Sequence, residues 1–141
     1  MTQEQKDLLL KDLCARLPYG VIVNVRGFDY DYNDKLTQIY KGIGCSIQVT
    51  NNMPYNIEQV KPYLFPLSSM TEEQKKFFKN RPIFLDYENE LVVKEDFFGN
   101  NQFTMLDDWM EVILWLIKNH FDIYGLIPMG LAIDATGLDI Y

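Results

Sequence analysis

The sequence predicts a single α+β domain, with a mainly antiparallel sheet, two long helices and one short helix. Three observations carry this. Thr2 to Leu17 and Thr104 to Phe121 have helical apolar periodicity. Short β-branched runs joined by turn formers lie between them. No repeat, low-complexity block or linker divides the 141 residues, a length that supports one hydrophobic core without metal or disulfide.

Thr2 and Gln5 form a capping-box pair at the start of the first helix, and Pro18 ends it. Leu9, Leu10, Leu13, Cys14 and Leu17 make its apolar stripe, with Lys6, Asp7, Lys11, Asp12 and Arg16 on the solvent side. Val21 to Val25 is the first expected strand. Gly27 to Asp34 is rich in turn formers and reads as a connection to strands at Lys35 to Tyr40 and Cys45 to Thr50, with a turn or bulge at Gly42 and Gly44. Three consecutive strands with short links predict an antiparallel meander, closed by a loop at Asn51 to Pro54.

Ile57 to Leu67 follows a helix-start pair, Asn56 and Gln59, but Pro62 and Pro66 bias their predecessors towards extended backbone; the segment is expected to be mostly extended. Thr71 caps a short helix with Glu72 and Glu73 at its start and Lys75, Lys76 and Lys79 at its end, the order that complements the helix dipole. Ile83 to Tyr87 and Glu90 to Lys94 form a hairpin around Glu88-Asn89, and Asp96 to Gln102 is a loop.

The stretch Thr104 to Phe121 is expected to organise the fold. Leu106, Trp109, Met110, Ile113, Leu116, Ile117 and His120 share one face, and Met105, Val112 and Trp115 carry apolar surface around to the other. Ile113 and Leu116 are expected to be almost fully buried. The tail from Ile123 is apolar but broken by Gly125, Pro128, Gly130 and Gly137, so it should pack as irregular chain with a last strand at Leu131 to Asp134.

Thirteen basic and twenty acidic residues give a net charge of -7, which disfavours direct binding to nucleic acid. The acidic residues are scattered, as on a solvated surface. Cys14 and Cys45 lie far apart in the chain and among apolar residues, where thiols behave as small buried hydrophobes. No secretory signal pattern opens the sequence, and the longest apolar run, Val112 to Ile117, is too short to span a bilayer. A cytoplasmic, reduced protein is the expectation, with neither a membrane nor nucleic acid as partner.

Two stretches, Lys61 to Glu73 (KPYLFPLSSMTEE) and Gly125 to Tyr141 (GLIPMGLAIDATGLDIY), together with Leu17-Pro-Tyr-Gly20, resemble a group of small proteins of unassigned function from gut bacteria and their phages. The resemblance spans most of the chain and is most specific at SSMTEE. It implies a cytoplasmic protein carried by a mobile element and transfers no site.

Among candidate sites, Asp29-Tyr-Asp-Tyr-Asn-Asp34 echoes the start of a calcium loop. The sixth position is Asp34 instead of glycine, and the twelfth is Tyr40 instead of a bidentate acid. A specific metal site at Asp29, Asp31 and Asp34 is therefore not expected, and no cofactor is called for. Cys14 or Cys45 with His120, the one histidine, lacks any nucleophile motif; His120 reads as a helix end-cap or dipole partner. Gly42-Ile-Gly44 does not make a phosphate cradle. Asp107 and Asp108 read as first-turn acids that complement the dipole. Trp115 interrupts the polar strip of its helix and, with Tyr30 and Tyr32, is the candidate contact surface for a protein partner. The expected function is a non-enzymatic binding or accessory module acting through an apolar-aromatic surface. The alternative is a small metal-dependent hydrolase using Asp29, Asp31 and Asp34.

Overall fold

The computed structural model describes residues 1–40, 47–50, 53–79, 81, 83–93 and 102–141, with backbone alone at 93 and 102–106. Helix α1 (Gln3–Arg16) starts as its sequence dictates: the Thr2 hydroxyl accepts from the Gln5 amide, and the Gln5 side chain accepts from the Thr2 amide. Its inner face is Leu9, Asp12, Leu13 and Arg16. The placement of Asp12 and Arg16 on the solvent side is thus corrected, and Cys14, expected inside, is exposed.

The charged pair goes inward because it satisfies itself and an otherwise unfinished helix end. Arg16 Nε and Nη2 bind the two Asp12 carboxylate oxygens at 2.7 and 2.9 Å. Arg16 Nη2 also donates to the Phe121 carbonyl at 2.6 Å, and Nη1 to that of Ile117 at 3.4 Å. Burial pushes the Asp12 carboxyl up from its ordinary value, against the lowering effect of Arg16.

Among the described residues the main sheet has six strands, in the order β4 (Pro54–Tyr55), β3 (Ile47–Val49), β2 (Asp31–Ile39), β1 (Ile22–Arg26), β5 (Val60–Leu64) and β8 (Ile133–Asp134). Strands β1 (Ile22–Arg26), β2 (Asp31–Ile39) and β3 (Ile47–Val49) form the expected antiparallel meander. β2 begins at Asp31, so half of the expected turn region is strand, and Pro54 lies in β4 (Pro54–Tyr55) rather than in a loop. The Gly42 and Gly44 turn and Cys45 lie outside the described residues. Asn56 and Gln59 do form a capping box, but over a single 3-10 turn (Ile57–Gln59); β5 (Val60–Leu64) then pairs antiparallel with β1. Val23, Val25, Leu36, Ile47, Val49, Val60 and Leu64 share one buried cluster with Leu9 and Leu13 of α1.

Thr71 caps α2 (Glu72–Lys75) in a third capping box, with Gln74. The hairpin is β6 (Ile83–Leu85) with β7 (Leu91–Val93), a separate two-stranded sheet. Helix α3 (Gln102–Lys118) starts before Thr104, so Asp107 and Asp108 are not in its first turn, which holds no acidic residue. Val112 and Leu116 are fully buried, Ile113 is only half-buried and Met110 is 57% exposed; Leu106 and Met105 lie outside the described side chains. The buried face is therefore rotated from the expected one. It also serves a different core: Val112, Leu116, Phe121, Met70, Phe78 and Ile83 form a second cluster, while α1 and the tail cover the main sheet. The expectation that α3 organises the whole fold is corrected on this point. The reason is that the main sheet already finds its apolar cover in Leu9, Leu13, Leu126 and Leu131.

His120 ends α3 in the left-handed conformation at φ 64°. Its amide donates to the Ile117 carbonyl, and that of Phe121 to Leu116, which is the Schellman pattern with histidine in the usual glycine place. The tail packs inward through Leu126, Leu131, Ala132 and Ala135, and β8 (Ile133–Asp134) pairs parallel with Tyr63 and Leu64 of β5. The buried Asp122 carboxylate accepts from the amides of Leu126 and Ile127, both at 2.9 Å, and so holds the start of the tail. Val23 opposite Pro62 is the last paired position of β1 and β5. Beyond it the Tyr141 hydroxyl takes over, accepting from the Ile22 amide at 3.1 Å and donating to the Tyr63 carbonyl at 2.7 Å.

Candidate functional site

The link between β1 and β2 builds a cleft lined by aromatic side chains. Gly27 makes it possible: a Cβ there would sit 2.5 Å from the Tyr30 carbonyl oxygen and 3.4 Å from the Tyr32 ring. The chain can therefore fold closely over Tyr32 and turn Phe28 and Tyr30 outward. The resulting cleft, of about 450 Å³, is lined by Gly27, Phe28, Asp29, Tyr30, Tyr32, Asp34 and Tyr55. Phe28 is fully exposed and Tyr30 is 72% exposed. Tyr32 is anchored from below by a hydrogen bond between its hydroxyl and that of Tyr55. The Tyr30 and Tyr32 rings lie 6.0 Å apart at 59°, and those of Tyr32 and Tyr55 6.3 Å apart at 65°. They form the walls of a corner and not a flat platform.

Strand alternation decides which aspartates meet here. Tyr32 and Asp34 share one face of β2, while Asp31 and Asn33 point to the other. Asp29 and Asp34 therefore line the cleft. Asp31 lines a separate groove of about 180 Å³ on the open face of the sheet, with Asn24, Arg26, Glu58, Gln59, Lys61 and Ile133. One Asp34 oxygen accepts from the Lys35 amide at 2.7 Å. Among the described residues, no lysine or arginine forms an ion pair with Asp29 or Asp34.

The other sequence candidates fall elsewhere. Trp115 is half-buried, stacked on Phe77 at 4.3 Å and 6° and flanked by Phe78 and Phe121. His120 stacks on Tyr141 at 3.7 Å, and burial followed by the nearby positive charge of Arg16 lowers its pKa to about 4. It is a neutral end-cap, not a charged dipole partner. Cys14 stands exposed on α1.

Sequence reasoning missed two features. Tyr55 joins the cleft from β4, across the intervening strand β3, and no local pattern announces it. Asp86, Glu88 and Glu90 bring carboxylate oxygens within 4.8 Å of one another at the β6–β7 turn. There Asp86 accepts from the amides of Glu88 and Glu90, a turn-closing role that accounts for it.

The fold and this cleft define a small α+β domain with an aromatic, acid-flanked recess at one sheet end. No family model, curated protein or solved structure matches the chain. Among the described residues, no helix is long and apolar enough to cross a membrane.

Proposed function

We propose that this chain is a non-enzymatic binding module that docks a protein partner through the aromatic cleft at the β1–β2 link. The observation that carries the reading is the outward placement of Phe28 and Tyr30 above a fixed Tyr32–Tyr55 pair. Exposed rings at the rim of a recess are the usual anchors of protein recognition. Trp115 belongs to the second core in this reading, since its ring is already stacked between phenylalanines. The net charge of -7 favours a protein partner over nucleic acid. A cytoplasmic setting and an accessory role on a mobile element are part of this proposal; the exposed thiol of Cys14 supports the first.

A displayed peptide library selected on the immobilised protein tests this. The control is the double variant Phe28→Ala/Tyr30→Ala, which keeps its unfolding midpoint because both side chains are exposed. Peptides enriched on the parent should lose binding to the variant. Failure to enrich any peptide, or equal binding to the variant, overturns the reading.

A further inference from the structure

We propose that the cleft takes the guanidinium of an arginine side chain presented by a protein partner, held between the tyrosine faces and the carboxylates of Asp29 and Asp34. This rests on the binding-module reading and names the group that is bound. The lining chemistry is selective. Apart from backbone, the polar groups of the cleft are two carboxylates and tyrosine hydroxyls, so its charged groups accept hydrogen bonds and donate none. The aromatic rings present negative faces to whatever enters. An anion is repelled by both features, and a neutral apolar group leaves the carboxylates without partners. A cation satisfies both at once, and the overall charge of -7 draws it in.

The shape points to arginine. Rings inclined at 59° and 65° pack on one another in a corner, and a planar cation can lie flat on the exposed Tyr30 ring at its mouth, with its edge towards the carboxylates. A sugar would call for a flat aromatic platform, which the inclined rings do not make. The protein already builds the same combination for a residue of its own: the Arg81 guanidinium lies 4.1 Å above the Phe77 ring and pairs with Glu111 at 3.0 Å. At the β1–β2 cleft an exposed Tyr30 ring stands beside two carboxylates, and no arginine among the described residues forms an ion pair with Asp29 or Asp34.

The test is an NMR titration of isotope-labelled full chain with the blocked peptide Gly-Arg-Gly-Arg-Gly, in the millimolar range expected for one isolated contact. The same peptide with citrulline for arginine has the same shape without the charge, and cellotriose serves as a sugar probe. The arginine peptide should shift the Tyr30, Tyr32 and Tyr55 ring signals. Its affinity should fall about tenfold with citrulline and about tenfold in Asp29→Asn/Asp34→Asn, the size of one desolvated cation–π and ion-pair contact. Both aspartate changes keep shape and acceptor oxygens, so folding is preserved; an unchanged amide spectrum checks this. Equal binding of the citrulline peptide, or no loss in the aspartate variant, overturns the arginine assignment and leaves the binding module standing. Ring shifts with cellotriose alone, or with none of the probes, overturn it too; the peptide-library selection then decides the module reading separately.

Discussion

Arg16 and Phe121, 105 residues apart, are joined by a 2.6 Å hydrogen bond from guanidinium to carbonyl, with both residues out of solvent. The contact ties the first helix to the end of α3 and lets Asp12 stay buried. Arg16→Ala leaves the Asp12 carboxylate buried and unpaired, and should cost about 3–5 kcal/mol. Asp12→Leu combined with Arg16→Met removes both charges and should cost less than the single change. Urea unfolding of the three proteins checks this; an unchanged midpoint for Arg16→Ala would remove the pair from any role in stability.

The unequal burial of two α3 residues gives a second prediction. Leu116→Ala empties a fully enclosed site and should cost about 2–5 kcal/mol. Ile113→Ala, at a half-buried position, should cost clearly less. Equal losses in chemical denaturation would contradict the helix orientation.

His120 links stability to pH. Its folded pKa of about 4 lies below the ordinary 6.5, so the unfolded chain takes up the proton first as pH falls. The stability from keeping the ring neutral is complete above 6.5 and is lost from there down towards 4. Thermal midpoints should therefore already drop between pH 6.5 and about 5, before most carboxylates titrate. His120→Asn, which tolerates the left-handed backbone, should flatten that upper part of the curve.

Tyr141 is tested by deleting one atom. Tyr141→Phe keeps the stacking on His120 but leaves the Ile22 amide and the Tyr63 carbonyl without their bridge. A loss of about 1–3 kcal/mol is expected. Amide hydrogen exchange at Ile22 should speed up by more than it does at Val25; uniform protection in the variant would count against the bridge.

Cys14 stands in solvent on the outer side of α1 and should react with a maleimide in the folded protein. The adduct should change stability by no more than about 0.5 kcal/mol. Reaction that requires denaturant would place the thiol inside after all.

What the sequence made legible is what local chemistry determines. Thr2 with Gln5, Thr71 with Gln74, the β-branched run at Val21 to Val25 and the hairpin around Glu88-Asn89 each carry their own signal, and each formed. Asp12 and Arg16 were misplaced because an i,i+4 charged pair looks the same facing water or facing two helix-end carbonyls far along the chain. The rotated face of α3 has the same origin, since a helix apolar on most sides does not declare which side the partner covers. Of the candidate site, Tyr30, Tyr32, Asp29 and Asp34 stood out as composition, but the strand start at Asp31 that separates Asp31 from Asp34 is set by pairing with β1. Tyr55 arrives only through sheet order.

The parallel pairing of β8 with β5 bears on how the protein emerges from a ribosome. Helix α1 and strands β1 to β5 are synthesised first and can pair locally, yet part of their apolar cover, Leu126, Leu131 and Ala132, is translated some sixty residues after Leu64. Until then Val60 and Leu64 border an uncovered sheet edge, the kind of surface that a nascent chain must shield from neighbours. Closure of this domain is therefore a late event, and a chain stalled before its tail is the form in which aggregation or chaperone capture should be greatest.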